Sequence, residues 1–318
     1  MLSGPDVVTV SILEHTTLVY SKHGRRSFQT VSQLPPPGHA CSRREVYWDF
    51  TISRGGVDMG RPAAGRQLGY GWRARIGLIY PACGKRDNDF SRLAPDGVSI
   101  HVTRVAFSGR VTAKDIGTMA ELDNLLAAAR LLKDVQPSCV SWADTSGSFM
   151  FGPECDIRQA DAIRAETGVP ASTTTTAVLA ACARLGVSRL AVASPYAADV
   201  NHGLGSFLAA RGVAVSSMRS LDLESEWHIH IVDREAAYRL AREAWTTQAE
   251  ALFIPCTDFE AIDLIEVLEE DLGVPVVTAN QATMWHALRL SGVRDSLPHF
   301  GKLYTLPDLT EEKVLQPR

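Results

Sequence analysis

Three stretches of the chain carry the residue types from which a thiol-based active site could be built. Cys256 closes the apolar run Ala251-Leu-Phe-Ile-Pro-Cys256 and precedes Thr257-Asp-Phe-Glu260. The spacing of Thr257 and Glu260 fits a capping box, and Phe259, Ile262, Ile265 and Leu268 continue at helical intervals. A thiol at a helix N-terminus faces free backbone N–H groups and the positive end of the helix dipole, which favour the thiolate. Asp258 and Glu260 oppose that shift, so its net direction stays open. A buried structural cysteine is the competing interpretation of Cys256, and it suits most of Cys41, Cys83, Cys139, Cys155 and Cys182. The second stretch is Asp144-Thr145-Ser146-Gly147-Ser148, where small hydroxyl residues and a glycine could present hydroxyls and N–H groups to an oxyanion. An ordinary turn capped by Asp or Thr would have the same composition. The third is Tyr196, after Ser194-Pro195, whose phenol could donate to a carboxylate; taken alone, such a residue is more often a packing aromatic.

Other patterns offer no cofactor. His228-x-His230 lacks a third ligand at suitable spacing and an HExxH context, and the alternation in Trp227-His-Ile-His-Ile-Val232 suits a surface strand better. Gly203-x-Gly205 lacks the third glycine and the preceding strand of a dinucleotide fingerprint, and no Walker A sequence occurs. The thiol is left to act without metal, nucleotide or attached cofactor.

The elements that must position these residues repeat. Arg75-Ile-Gly-Leu-Ile-Tyr-Pro81 has the continuous apolar character of a strand buried on both faces, and Arg189-Leu-Ala-Val-Ala-Ser-Pro195 has the same shape 114 residues later. Ser138-Cys-Val-Ser-Trp-Ala-Asp144 matches Ala251 to Cys256, with Asp144 and Cys256 separated by 112 residues. Gly168-Val-Pro170 with Thr173 recurs as Gly273-Val-Pro275 with Thr278, 105 residues on, and the helices Ala177 to Leu185 and Ala282 to Leu290 follow. Three landmarks in one order predict an internal duplication: an α/β fold of two pseudo-symmetric halves, each a small parallel sheet flanked by helices. Right-handed βαβ crossovers place ligands beyond the carboxyl ends of such strands. Asp144 and Cys256 would then face one cleft between the halves. The division expected is an N-terminal extension over 1–72, a first half over 73–186 with the helix at about 281–291 able to pack on it, and a second half over 187–318. Pro35-Pro36-Pro37, scattered Gly and Arg and weak periodicity predict a poorly ordered extension to which no function is assigned.

Bulk properties agree with a globular enzyme. The 318 residues are 45% hydrophobic and 21% charged, and the net charge of −4 without a long basic run argues against a nucleic-acid partner. Six scattered cysteines without a CxxC pair suit a reducing compartment. No apolar run approaches the ~20 residues of a membrane span, and the first residues lack a secretory profile. The expectation is a cytoplasmic protein with no membrane partner, acting on a small carboxylate or dicarboxylate, with a homo-oligomer left open.

With these residues together, the chain from about Arg75 to Tyr304 resembles the aspartate/glutamate racemase superfamily, in its branch of arylmalonate decarboxylase and maleate cis-trans isomerase. The resemblance is carried by Asp144-Thr-Ser-Gly-Ser-Phe, Thr167-Gly-Val-Pro, Thr175-Thr-Ala-Val-Leu, Pro195-Tyr-Ala-Ala-Asp-Val-Asn201, Cys256 and Pro298-His-Phe-Gly-Lys-Leu303. It implies two Rossmann-like halves with the site between them and chemistry without cofactors. It also implies that Cys256 is a proton donor or nucleophile, and that Thr145, Ser146 and Tyr196 hold a carboxylate or enediolate. The departure is Asp144, where relatives carry a first catalytic cysteine or a glycine. Either Asp144 is protonated in use, or the substrate offers it a donor such as an amine, amide or water. Three functions follow as expectations: a lyase or isomerase that forms and quenches a carbanion or enediolate through Cys256, an amino-acid or hydroxy-acid racemase pairing Asp144 with Cys256, or a carboxylate-binding protein without catalysis.

Overall fold

A computed structural model of the chain describes residues 7–13, 16–21, 50–53, 56–59 and 70–307. The chain divides into two compact units, 1–64 and 65–318. In the first unit β1 (Val7–Leu13) pairs antiparallel with β2 (Thr16–Ser21), and β3 (Phe50–Ser53) pairs antiparallel with β4 (Gly56–Met59). The rest of the expected N-terminal extension, with Cys41 and Pro35 to Pro37, lies outside the described residues.

The second unit contains two four-stranded parallel sheets. The first is built from β5 (Ala74–Pro81), β6 (Val98–Val105), β7 (Cys139–Trp142) and β8 (Ala171–Thr173), in the order β6-β5-β7-β8. The other is built from β9 (Arg189–Tyr196), β10 (Ala214–Leu223), β11 (Ala251–Ile254) and β12 (Val276–Thr278), in the order β10-β9-β11-β12. The strand orders are the same, which is the duplication expressed as topology. The central strands are buried along nearly their whole length, as apolar runs without alternation demand, whereas β6 and β10 sit at the edges and are half-exposed.

Helices cover the sheets through apolar stripes. Leu122–Leu132 packs on the first sheet through Leu125, Ala128, Ala129 and Leu132. Arg234–Ala244 packs on the other through Ala237, Leu240, Ala241 and Ala244. Both sets follow the i, i+3, i+4, i+7 spacing of one helix face. The pair of helices related by the 105-residue offset, Thr174–Leu185 and Ala279–Leu290, pack on each other, and Thr174 Oγ1 meets Thr283 Oγ1 at 2.9 Å. Helix Ala279–Leu290 also reaches back onto β7 and β8 of the first sheet, where His286 Nδ1 lies 2.7 Å from Ser172 Oγ. These helices therefore join the halves.

Three local expectations need correction. Both paired helices start earlier than Ala177 and Ala282, because Thr173 and Thr278 act as N-caps, accepting from Thr176 N–H (3.1 Å) and Gln281 N–H (3.3 Å). Residues Glu226–His230 form a helical turn rather than a surface strand. Only Glu226 and Ile229 in it are buried, a spacing of three that a helix satisfies and a strand does not. Finally, no helix begins at Thr257: a short 3-10 turn spans Ile262–Leu264 and the α-helix runs Ile265–Leu272. The Glu260 side chain that would complete the capping box is paired instead with Arg86 of the first half.

The cap at Thr278 is reciprocal, since Gln281 Oε1 accepts from the Thr278 N–H at 3.1 Å. Thr278→Ala is expected to lower unfolding stability by about 1–2 kcal/mol, measured by chemical denaturation, with the larger value reflecting its full burial.

Candidate active site

The carboxyl ends of strands from both sheets converge, and the second half's loop 255–261 is the most constrained part of the convergence. Cys256 follows β11 and adopts φ = 80°, the left-handed region that side chains other than glycine rarely occupy. Such strain persists only when neighbours over-determine it. Here the Cys256 N–H donates to Thr145 Oγ1 at 3.2 Å. The Thr257 carbonyl accepts from the Tyr80 hydroxyl (3.0 Å) and from Asn280 Nδ2 (3.0 Å). Asp258 accepts the Lys85 N–H at 2.8 Å, with the Lys85 ammonium 3.4 Å away, and Arg86 donates through Nε to the Asp258 carbonyl (3.2 Å) and through Nη1 to Glu260 (2.8 Å). The first half thus grips the loop that carries the thiol.

The Asp144 turn comes from the equivalent strand end, after β7. Asp144 Oδ1 accepts from the Gly147 N–H and from Ser146 Oγ (3.2 Å), while Thr145 supplies its carbonyl to Ser148 Oγ (2.8 Å) and its hydroxyl to Cys256. Gly147 is required by contact: a Cβ there would lie 2.9 Å from Asp144 Oδ1 and 3.0 Å from both Ala120 Cβ and Trp142 Cζ2. Tyr196 ends β9 and is locked by its neighbours. Its N–H donates to Ser194 Oγ (3.1 Å), its carbonyl accepts from Asn201 Nδ2 (2.7 Å), and Ser194 Oγ donates to Asn201 Oδ1 (2.6 Å). The Tyr196 phenol and the Cys256 thiol lie close enough that each acts on the other's titration. Cys256, Asp144, Thr145, Ser146 and Tyr196 therefore meet in one place.

The place is nearly dry and rich in acid groups. Cys256 is 5% exposed and Asp144 8%. Burial pushes the Cys256 thiol well above its usual range, the charge of Glu226 adds to the rise, and the Asp258 N–H and Tyr196 hydroxyl oppose it. The dipole-lowered thiolate is thereby set aside: without a helix starting at Thr257, the resting group is S–H. Burial raises Asp144 to about 6 against the pull of the Gly147 and Ser146 hydrogen bonds. Its Oδ1 atom performs the capping duty of an ordinary turn, and Oδ2 accepts no hydrogen bond among the described residues.

Sequence reasoning missed Glu226, Tyr80, Lys85 and Asn280. Glu226 follows edge strand β10 and is anchored across the halves, its N–H donating to the Gly109 carbonyl at 2.9 Å beside the Val111 N–H to Glu224 carbonyl bond of 2.8 Å. Its carboxyl is buried and raised to about 8, by burial first and then by the charges of Asp258 and Asp144. The available signal was positional. Strand β10 went unassigned, and recognising it would have put Glu226 beyond a carboxyl end, where ligands bind. His230 Nδ1 lies 3.6 Å from Asp258, while His228 belongs to a separate surface patch with Leu221, Ile231 and Val232. Among the described residues no cluster of three or more potential metal ligands occurs, and no helix is long and apolar enough to cross a membrane.

Comparison with known proteins places these features in a group. The sequence profile of the arylmalonate decarboxylase family matches residues 76–304. An arylmalonate decarboxylase from Bordetella bronchiseptica is 33% identical over 233 residues, covering 72% of this chain and 95% of that protein. A maleate isomerase from Nocardia farcinica (strain IFM 10152) is 26% identical over 120 residues, 37% of this chain and 48% of that protein. The crystal structure of a double mutant of arylmalonate decarboxylase in the liganded form superposes with a TM-score of 0.68 at 31% identity, covering 72% of this chain and 98% of that one.

The Glu226 carboxyl has a stability consequence. Its pKa rises from 4.5 to about 8 on folding, so its contribution is present below pH 4.5 and is lost as pH climbs through 8. Glu226→Gln is expected to flatten this dependence. Between pH 5 and 9 the wild type should lose several kcal/mol more than the variant, on the order of 1.4 kcal/mol for each tenfold gain in proton affinity, read from urea midpoints at both pH values.

Proposed function

Because the chain belongs to the arylmalonate decarboxylase family, we propose that it is a cofactor-independent decarboxylase or isomerase that forms a carbanion or enediolate beside a substrate carboxylate and quenches it with the Cys256 thiol. The observation that carries this proposal is the 3.2 Å bond from the Cys256 N–H to Thr145 Oγ1, which fastens the proton donor of one half to the anion-binding turn of the other.

In the decarboxylating form, a malonate-type substrate places one carboxylate against Thr145, Ser146 and Tyr196. The bond from the α-carbon to its other carboxylate breaks and releases carbon dioxide. The electron pair spreads into the retained carboxylate as an enediolate, whose growing charge the Thr145 and Tyr196 hydroxyls meet, joined by that of Ser146 once it turns from Asp144. One such donor is worth roughly 2.7–4 kcal/mol in the transition state. Cys256 then passes its proton to the α-carbon and recovers one from solvent. A thiol that burial keeps protonated suits this step and does not suit a thiolate attacking a double bond at rest. Exclusion of water protects the anion from quenching by solvent on the wrong face.

Asp144 supports a second reading. A carboxyl raised to about 6 in a dry cleft is poised to exchange protons near neutral pH, so Asp144 and Cys256 could act as opposing acid and base in racemisation.

NMR in deuterium oxide with a panel of malonates, maleate and amino or hydroxy acids separates the outcomes. A decarboxylase releases carbon dioxide and leaves one deuterium at the quenched carbon. A racemase exchanges the hydrogen without change of formula, and an isomerase attacking through sulfur need incorporate none. Cys256→Ala is expected to lower turnover by about 10²–10⁴-fold while circular dichroism and melting temperature stay close to wild type. Full activity in that variant would remove the mechanism. Binding without turnover in both proteins would mark a carboxylate-binding protein instead.

A further inference from the structure

Two donors meet on the carbonyl of Thr257, directly after the left-handed Cys256, and neither comes from the loop itself. Tyr80, near the end of β5, gives its hydroxyl at 3.0 Å, and Asn280, in the first turn of helix Ala279–Leu290, gives Nδ2 at 3.0 Å. Helix Asp87–Arg92 of the first half stands behind both. Asp89 Oδ2 accepts a second hydrogen bond from Asn280 Nδ2 at 3.0 Å, and the buried ring of Phe90 is edge-on to that of Tyr80, with centroids 5.4 Å apart.

Asn280 can face only one way. Its amide carries two N–H bonds, and both find acceptors in the Thr257 carbonyl and the Asp89 carboxyl. Turned over, Oδ1 would confront those same two acceptors. The consequence is that Asn280 Oδ1, in a side chain only 3% exposed, has no hydrogen-bond partner among the described residues. An unpaired buried acceptor is costly and persists where a neighbouring requirement outweighs it. The Asn280 backbone is fixed as well. The reciprocal cap of Thr278 and Gln281 brackets it, and Gln281 Nε2 donates to the Phe300 carbonyl at 2.7 Å.

We propose that Asn280, oriented by Asp89, is a positioning residue for Cys256: it holds the Thr257 carbonyl and so sets the direction in which the left-handed turn presents the thiol. The proposal deepens the reading of Cys256 as proton donor and rests on it. Asp89 acts through Asn280, and Asn280 acts through one peptide group; neither is assigned a contact with the substrate. Because the turn is strained, losing a bond that holds it lets the peptide relax and swings the sulfur away from the α-carbon. Substrate binding at Thr145 and Tyr196 is left in place, so the loss falls on kcat rather than on KM.

Asn280→Leu removes the donor and Asp89→Leu removes the acceptor that orients it, while Asp89→Asn keeps an acceptor oxygen in its place. The full-length variants are compared with wild type by steady-state kinetics on phenylmalonate and maleate, by melting curves, and by amide exchange of peptides over 255–261. In both leucine variants kcat is expected to fall about tenfold or more with KM within about threefold. Exchange over 255–261 should quicken while that of β9 stays unchanged, and Asp89→Asn should keep kcat within about threefold of wild type. Wild-type kcat in Asn280→Leu, a loss carried by KM, or a loss in Asp89→Asn as large as in Asp89→Leu would overturn the proposal. Should Asn280→Leu not fold, the Asp89 pair decides by the same readings. Should wild type turn over neither probe, exchange decides: quickening over 255–261 in both leucine variants but not in Asp89→Asn upholds the positioning, and wild-type exchange removes it. Full activity in Cys256→Ala would instead remove the catalytic reading, a failure that these exchange measurements do not share.

Discussion

The molecule is organised around a single backbone residue held where its side chain does not want to be. Cys256 sits at φ = 80°, and a left-handed cysteine costs of order 1–3 kcal/mol. The cost is met by bonds that all come from outside its own strand: Thr145 on the Cys256 N–H, Tyr80 and Asn280 on the next carbonyl, Lys85 on the Asp258 carboxylate. Three of these four partners belong to the first half of the duplicated fold. The thiol is therefore presented only when both halves are assembled, which makes the interface and the active site one structure.

The same closure sets the electrostatics. Excluding water removes the solvation that would keep carboxyls and thiols near their ordinary values, so Asp144, Glu226 and Cys256 all hold protons more firmly than in water. Their differences follow from their partners. Two donors keep Asp144 lowest of the three, while Glu226, with only the Lys85 charge to oppose burial and the charges of Asp258 and Asp144, rises to about 8. A protein that must protonate a carbanion gains from this arrangement, because a thiol that stays S–H at neutral pH is ready to give its proton up. Membership of the arylmalonate decarboxylase family fits that need.

The duplication gives the arrangement its economy. Related strand ends, after β7 and β11, supply the Asp144 turn and Cys256, and related helices, Thr174–Leu185 and Ala279–Leu290, close the seam behind them. Symmetry is broken where chemistry needs it: one copy ends in a thiol, the other in a carboxyl capped by its own turn. The edge strands break it again, since the loop after β10 delivers Glu226 whereas the loop after β6 delivers the Gly109 carbonyl that anchors it.

What the sequence determined was whatever depends on local composition and on repetition. Apolar runs without alternation specified buried parallel strands at Arg75 and Arg189, and the recurrence of Gly-Val-Pro with a Thr cap specified the same supersecondary unit twice. The match of Asp144 to Cys256 followed from that, because equivalent strand ends of a duplicated fold must face one another. Tertiary structure alone decided the rest. A capping box of Thr257 and Glu260 is favourable locally, yet Arg86 claimed the Glu260 carboxylate and Tyr80 and Asn280 claimed the Thr257 carbonyl, so the loop stayed irregular and the thiol lost its dipole. Trp227 to Val232 alternates as a strand would, but anchoring Glu226 on Gly109 turned it into a helix. Protonation states were equally out of reach, since they depend on which groups exclude water from which. That is settled between residues about a hundred positions apart, where periodicity carries no information.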